Sequence, residues 1–285
     1  MIQLAPANGR TGQSPRTLAA DVGGTAVKAT VLDHHGEALV PPVRVPTPRP
    51  CPPSVLVGLL SQMVKPLPEF ERISVGFPGL VRDGRVLTAP HLGGGKWQGY
   101  PLAVVLASRF GCPVQVRNDT EVYGLGVVAG RRLELVVTLG TGVGTALFQN
   151  GRPTPHLELA HHPLRSGRTY DQYLGLEALR RVGARKWSAR VELTFGVLYA
   201  LTHYDKLYVG GGNASRLTIQ LPANVALVSN EAGLAGGVRL WDPDMILPLP
   251  IISPTASEGA RRSARSTTTK RSPCQSGGVG QTERP

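Results

Sequence analysis

The 285 residues are 41% apolar and only 5% aromatic, enough for one large or two ordinary domains whose cores rest on Val, Leu and Ala. That content excludes a chain disordered throughout, and the longest apolar run near the end, 245–252, is too short and too broken by prolines to cross a membrane. The net charge is +12, with most of the excess in residues 1–242, which fits a polyanionic partner and fits a plain basic surface equally.

Residues 1–16 read as disordered and lack the apolar run of a secretory signal. Cys51, Cys112 and Cys274 are too scattered for a disulfide framework or a Cys-rich zinc site, so a reducing cytoplasm is the expected setting. The abundance of Gly (35) and Pro (25) predicts frequent turns and short helices. A strand from Thr17 runs into the corner Asp21-Val22-Gly23-Gly24-Thr25, and a second strand, 26–32, leaves it. Residues 44–53 read as a Pro-rich connection and 55–64 as a helix stopped by Pro66. Strand 72–77 is closed by Pro78-Gly79, and Asp83-Gly84 marks a hairpin between Val81 and Val86. A helix over 102–110 ends at Gly111, and strand 114–117 delivers Asn118-Asp119. Helix 121–129, strand 133–138, the corner Gly140-Thr141-Gly142-Val143-Gly144 and strand 145–149 follow. The order strand, glycine corner, strand thus occurs twice, at 18–32 and 133–149, as a duplicated architecture would have it. Helical spacing returns at Val191, Phe195, Leu198 and Leu201. Strand 207–209 runs into Gly210-Gly211-Gly212-Asn213, and a short strand, 226–228, and a helix, 231–240, complete the body.

Each glycine corner lets backbone N–H groups approach phosphate oxygens without a Cβ in the way. Thr25 adds a hydroxyl and Lys28 a charge. Asp21, repelled by phosphate, makes sense if a Mg²⁺ ion, reached directly or through water, stands between them. Taken singly, an ordinary hairpin explains either corner as well. The second corner has no Gly-Lys-Ser/Thr and runs into a strand rather than a helix, so it is neither a P-loop nor a dinucleotide fingerprint. Two such corners facing each other would hold a phosphate chain from both sides. Asp119, at a strand end, could take a proton from a sugar hydroxyl; the same residue also suits the cap of the helix that follows. Glu158 and His161, three apart, could bind adjacent hydroxyls, although a lone histidine is more often structural.

The stretches DVGGTAVKATVLD, GFPGLV, VRNDTEVYGLG, TLGTGVGTALFQNG, LELAHHP, GRTYDQYLG and YDKLYVGGGNA occur in that order over roughly 17–242. On them the chain resembles the ROK family of sugar kinases, and within it the polyphosphate-type glucokinases. The resemblance implies an α/β, actin-like (ribonuclease H-like) fold with the active site in the cleft between two lobes. It divides the chain into a small lobe at 17–117, a large lobe at 118–230, a C-terminal helix at 231–242 packing back on the small lobe, and a disordered basic tail at 243–285. It implies Asp119 as catalytic base. Asp21, Gly23, Gly24, Thr25 and Lys28 would bind phosphate from one side, and Gly140, Thr141, Gly142 and Gly144 from the other. Gly210, Gly211, Gly212 and Asn213 would flank a nucleotide. The sugar would be held by Pro78, Gly79, Asn118, Asp119, Glu158, His161 and Asp171.

The expected reaction is transfer of a terminal phosphoryl group from polyphosphate, ATP or both to the 6-hydroxyl of glucose, with Mg²⁺ near Asp21 and without zinc. Lys28, Lys96, Arg152 and Arg168 are candidate contacts for a long anion. Neither DNA nor a membrane is an expected partner, and a homodimer is compatible with the family. Asp171 stands where relatives carry Glu, Ala160 replaces a Gly, and His91 replaces an Asn, departures that bear on sugar specificity. An ATP-dependent kinase for another hexose and a non-catalytic sugar-binding protein are the competing expectations.

Overall fold

The computed structural model describes residues 14–229 and 232–243; expectations for 1–13 and 244–285 lie outside the described residues. The first lobe is built on β1 (Thr17–Val22), β2 (Ala26–Leu32), β3 (Val43–Pro46), β4 (Arg72–Phe77) and β7 (Val114–Asn118), in the order β3-β2-β1-β4-β7. Its helices are α1 (Pro53–Met63) and α2 (Leu102–Phe110), and β5 (Val81–Arg82) and β6 (Arg85–Val86) form a small hairpin. The chain then crosses through α3 (Asp119–Leu125). The second lobe contains β8 (Leu133–Leu139), β9 (Val143–Gln149), β10 (Arg152–Pro153), β13 (Lys206–Gly210) and β14 (Val225–Leu227), in the order β10-β9-β8-β13-β14. A second hairpin, β11 (Pro163–Arg165) with β12 (Arg168–Thr169), precedes α4 (Tyr170–Leu174) and α5 (Leu176–Thr202), and α6 (Ala232–Arg239) closes the described chain.

The two sheets share one topology. In each, an antiparallel pair around a glycine corner (β1–β2, β8–β9) is extended on one side by a third antiparallel strand and on the other by two parallel strands. The duplication expected from the two glycine corners is therefore present in the strand order itself. This is the α/β, two-lobed architecture expected.

Alternation along the strands decides which face each lobe buries. Leu18, Ala20 and Val22 of β1 and Ile73, Val75 and Phe77 of β4 share a core with Leu56 and Leu60 of α1 and Leu102 and Leu106 of α2. Each such buried aliphatic side chain contributes about 1.5–3 kcal/mol relative to exposure. The opposite face carries Ala19, Ser74 and Gly76, and their small size lets α6 and α3 come close. A Cβ on Gly237 would lie 3.2 Å from that of Ala19, and one on Gly76 would lie 3.2 Å from the Asp119 Cα. Ser74 Oγ donates to the Gly237 carbonyl at 2.6 Å and accepts from Trp241 Nε1 at 2.8 Å, fastening the end of α6 over β4. Val122 and Leu125 of α3 pack in a separate core with Val136, Ala146 and Phe148 of the second sheet and with Leu240. Thus α3 ties the lobes together, its first residue over the first sheet and its apolar side on the second.

Three expectations need correction. Residues 43–46 form the edge strand β3, where a Pro-rich connection was expected. Helices are not uniformly short: α5 runs for 27 residues, interrupted only at Gly183, whose φ is 75°. Helix α3 begins two residues early and ends at Leu125. The Glu134 carboxylate takes the N–H groups of Ala129, Gly130 and Arg131, turning the chain out of the helix.

Candidate active site

Parallel pairing places the ends of β1, β4 and β7 side by side: Asp21 pairs with Gly76, and Phe77 with Asn118. Asp21, Pro78-Gly79 and Asn118-Asp119 therefore emerge together, at the carboxyl edge where α/β sheets bind ligands. The second sheet presents Gly140–Gly144 and Gly211-Gly212 at the equivalent edge. The two edges enclose a cleft of ≈ 430 Å³.

The corners face each other. Thr25 Oγ1 and Thr141 Oγ1 are 2.8 Å apart, a hydrogen bond from one lobe to the other. The first corner is held by its carbonyls: Thr47 Oγ1 donates to Gly23 O at 2.6 Å, Arg49 Nη2 to Gly24 O at 3.0 Å, and Thr47 N to Thr25 O at 3.0 Å. In the second, the Gly142 carbonyl accepts from Gly140 N at 3.0 Å, and Asn213 Nδ2 donates to Gly140 O at 2.8 Å. A Cβ on Gly142 would lie 2.7 Å from an Asp171 carboxylate oxygen and 2.9 Å from His91 Nε2, so both side chains would have to shift to admit one. Gly211, at φ 89°, needs both its conformation and its lack of Cβ, which would lie 2.5 Å from the Leu139 backbone.

Asp119 is the first residue of α3. The cap is Asn118, whose Oδ1 accepts from Thr120 N (2.9 Å) and Glu121 N (3.3 Å), while its Nδ2 donates to Gly79 O at 3.2 Å. The capping role expected of Asp119 belongs to its neighbour, although Asp119 Oδ1 also accepts from Thr120 N at 2.8 Å. Burial first, then the Asp21 charge, pushes the Asp119 carboxyl up to about 7, against the Thr120 hydrogen bonds that pull it down. Burial also raises Asp21, and Lys28 Nζ, 3.5 Å from its Oδ2, partly offsets this. Two under-compensated carboxylates beside the glycine corners fit a hard divalent cation that keeps most of its water. Among the described residues no group of three or more His, Cys, Asp and Glu could hold a metal by itself.

Of the residues expected at the site, Asp21, Gly23, Gly24, Thr25, Lys28, Pro78, Gly79, Asn118, Asp119, Gly140, Thr141, Gly142, Gly144, Glu158, His161, Gly211 and Gly212 line the cleft. Asp171, Gly210 and Asn213 do not. Asp171 instead accepts from Val143 N at 2.6 Å and lies 3.4 Å from His91 Nε2, so it braces the second corner from beneath. The hydrogen bond to Asp171 raises the His91 pKa against the effect of burial. Gly210 lies against the Tyr123 ring, and Asn213 fastens Gly140. Lys96, Arg152 and Arg168 are also absent from the lining. The second basic group there is Arg44, directly across from Lys28 in the β2–β3 pairing. It was hidden by reading 44–53 as a connection. His156 was missed as well: it lines the cleft two residues before Glu158, and only that H-x-E spacing could have pointed to it.

The ROK family model matches residues 17–156. The polyphosphate glucokinase of Mycobacterium leprae (strain TN) is 26% identical over 250 residues, covering 81% of this chain and 76% of that protein. The chain is thus similar in sequence to ROK-family sugar kinases. Among solved structures, the inorganic polyphosphate/ATP-glucomannokinase of Arthrobacter sp. strain KM superposes with a TM-score of 0.71 at 28% identity, over 79% of this chain and 98% of that one. A ROK family glucokinase from Streptomyces griseus, solved with glucose and AMPPNP, gives a TM-score of 0.65 at 21% identity over 79% and 98% of the two chains; at that identity it speaks for the fold alone. These likenesses make the chain a phosphotransferase with an alcohol acceptor, and Asp119 and both glycine corners line the cleft between the sheets.

Proposed function

We propose that this chain transfers the terminal phosphoryl group of inorganic polyphosphate, and also of ATP, to the 6-hydroxyl of glucose in the cytoplasm. The observation that carries the reading is the placement of Asp119 in the same cleft as two glycine corners joined by the Thr25–Thr141 hydrogen bond. Similarity to the Mycobacterium leprae and Arthrobacter enzymes supports both the polyphosphate donor and the hexose acceptor.

In this reading Glu158, His161 and Asn118 orient the sugar so that its 6-hydroxyl meets Asp119. The carboxylate takes the hydroxyl proton as the new O–P bond forms and the bond from phosphorus to the leaving phosphate breaks. The transition state of such transfers is loose, so alignment and charge neutralisation outweigh proton removal. Backbone N–H groups of Gly24, Thr25, Thr141 and Gly142 stabilise the equatorial oxygens, those of Gly23 and Gly140 being spent within the corners. Mg²⁺, held by Asp21 through water, would neutralise donor phosphate charge. Lys28 and Arg44, paired across β2 and β3, give a longer polyanion a basic path out of the cleft. Gly211 and Gly212 leave room for a nucleotide at the opposite end. The alternative with a specific observation behind it is another hexose, because His91 enters the cleft braced by Asp171.

A coupled assay for glucose 6-phosphate with polyphosphate or ATP as sole donor tests the proposal. Product from polyphosphate is expected. Product from ATP alone removes the polyphosphate donor, and turnover of mannose or fructose in preference to glucose replaces the acceptor.

A further inference from the structure

His156 has no place in the reaction as drawn, yet it is among the most enclosed polar side chains at the cleft. Its side chain is only 8% exposed, and it stands between two carboxylates. Nδ1 lies 3.3 Å from Glu121 Oε1, on α3, and Nε2 lies 3.7 Å from Glu158 Oε2. Both separations exceed the 2.7–2.9 Å typical of a charge-assisted hydrogen bond. Both ring nitrogens and Glu158 Oε2 are buried without a hydrogen-bond partner. Buried polar groups are rarely left so, and one explanation for an orphan set on a cleft wall is a ligand that completes it. The segment itself is fixed, because Thr145 Oγ1, on β9, donates to the Leu157 carbonyl at 3.3 Å.

We propose that His156 is a positioning residue for the sugar: held between Glu121 and Glu158, it fixes the Glu158 carboxylate so that one oxygen is presented to a hexose hydroxyl. The inference rests on the reading of this cleft as a hexose site. An imidazolium in this position offsets the buried Glu121 carboxylate and the half-buried Glu158 carboxylate, which would otherwise repel each other and the anionic donor. The charges around it agree. Burial lowers the His156 pKa, but the adjacent Glu121 and Glu158 carboxylates overcome it and carry the group to about 9. Beyond these two, Arg117 of β7 faces Glu121, and Asp119 and His91 both feel the Glu158 charge. The sign follows: the clasp is complete below about pH 9 and opens as pH rises through it.

Glucose binding to the full chain, measured by calorimetry without donor from pH 7 to 10, tests this. The wild type should hold a constant Kd to about pH 8 and weaken above about 9. His156→Gln should raise the Kd about tenfold or more at pH 7.5, the scale of one lost charged hydrogen bond, and erase the alkaline weakening. In turnover it should raise KM for glucose and leave kcat within a few-fold. Glu121→Gln, which removes one of the two carboxylates, should move the alkaline limb to lower pH. Wild-type affinity in His156→Gln, or an alkaline limb that persists in it, overturns the proposal. If that variant does not fold, Glu121→Gln decides, and an unmoved limb overturns the proposal. Failure of the underlying functional reading looks different: the wild type would neither bind nor phosphorylate glucose, and the assignment of His156 would fall with it.

Discussion

Replacing Asp119 by Asn should make the protein inactive and more stable, and the second effect can be sized from the structure. The carboxyl is carried from 3.8 to about 7, mainly by burial and the Asp21 charge. At ~1.4 kcal/mol per pKa unit that shift sets a ceiling of about 4 kcal/mol on the penalty for ionising Asp119 in the folded state. Water in the open cleft screens the interaction, so about 1–2 kcal/mol is the expected fraction. The folded protein holds this proton between about pH 4 and pH 7 while the unfolded chain releases it, so stability falls as pH rises across that window. Asn keeps an oxygen for the Thr120 N–H and carries no charge. In metal-free buffer at pH 8 the variant should melt higher by roughly 2–6 °C. At pH 4, where the native carboxyl is protonated, the difference should vanish. Thermal melts of both proteins at the two pH values decide the matter. A variant no more stable than the wild type at pH 8, or one with the same offset at both pH values, refutes the account of Asp119 as a strained, uncompensated base.

The other predictions concern the walls of the cleft. Gly142→Ala should lower kcat/KM about tenfold or more, because a Cβ there must displace both Asp171 and His91 from the corner they brace; wild-type kinetics would show that the corner has slack. Arg44→Ala should raise KM for long-chain polyphosphate several-fold and flatten its salt dependence, with a smaller effect on ATP; equal changes for both donors would place the polyanion elsewhere. Removing residues 243–285 should leave steady-state rates unchanged, since among the described residues the lining of the cleft falls within 21–212; a lost activity would assign that segment a catalytic part.

Much of this site was legible in the sequence because its signals are local. Strand 72–77 and helix 102–110 stand where expected, the latter stopped by Gly111 in the left-handed conformation at φ 70°. The two glycine corners announced a duplicated plan, and the strand orders repeat it. What escaped depends on contacts far apart in the chain. Edge strand β3 is short and ends in a proline, so it lacks a strand signal of its own, and Arg44 was lost with it. The first half of α5 is charged on several sides and broken at Gly183, so only its later apolar stripe was visible. Asn118 and Asp119 are equally good caps by type, and only the register of β7 against β4 gives the cap to Asn118 and leaves the Asp119 carboxylate to the cleft. Asp171 lies under the second corner because α4 starts there, a fact no spacing records. His156 owes its enclosed setting in part to Glu121, thirty-five positions earlier in the chain.

The most direct test of the account is the pH dependence of kcat/KM for glucose in the wild type and in Asp119→Asn, with product followed as glucose 6-phosphate. Expected is a wild-type rate that rises with pH through about 7 as the carboxyl ionises, and in the variant a flat profile about 10²–10⁴ below the wild-type plateau, the gap narrowing as pH falls below 7. A variant that turns over within tenfold of the wild type, with the same pH profile, would contradict it.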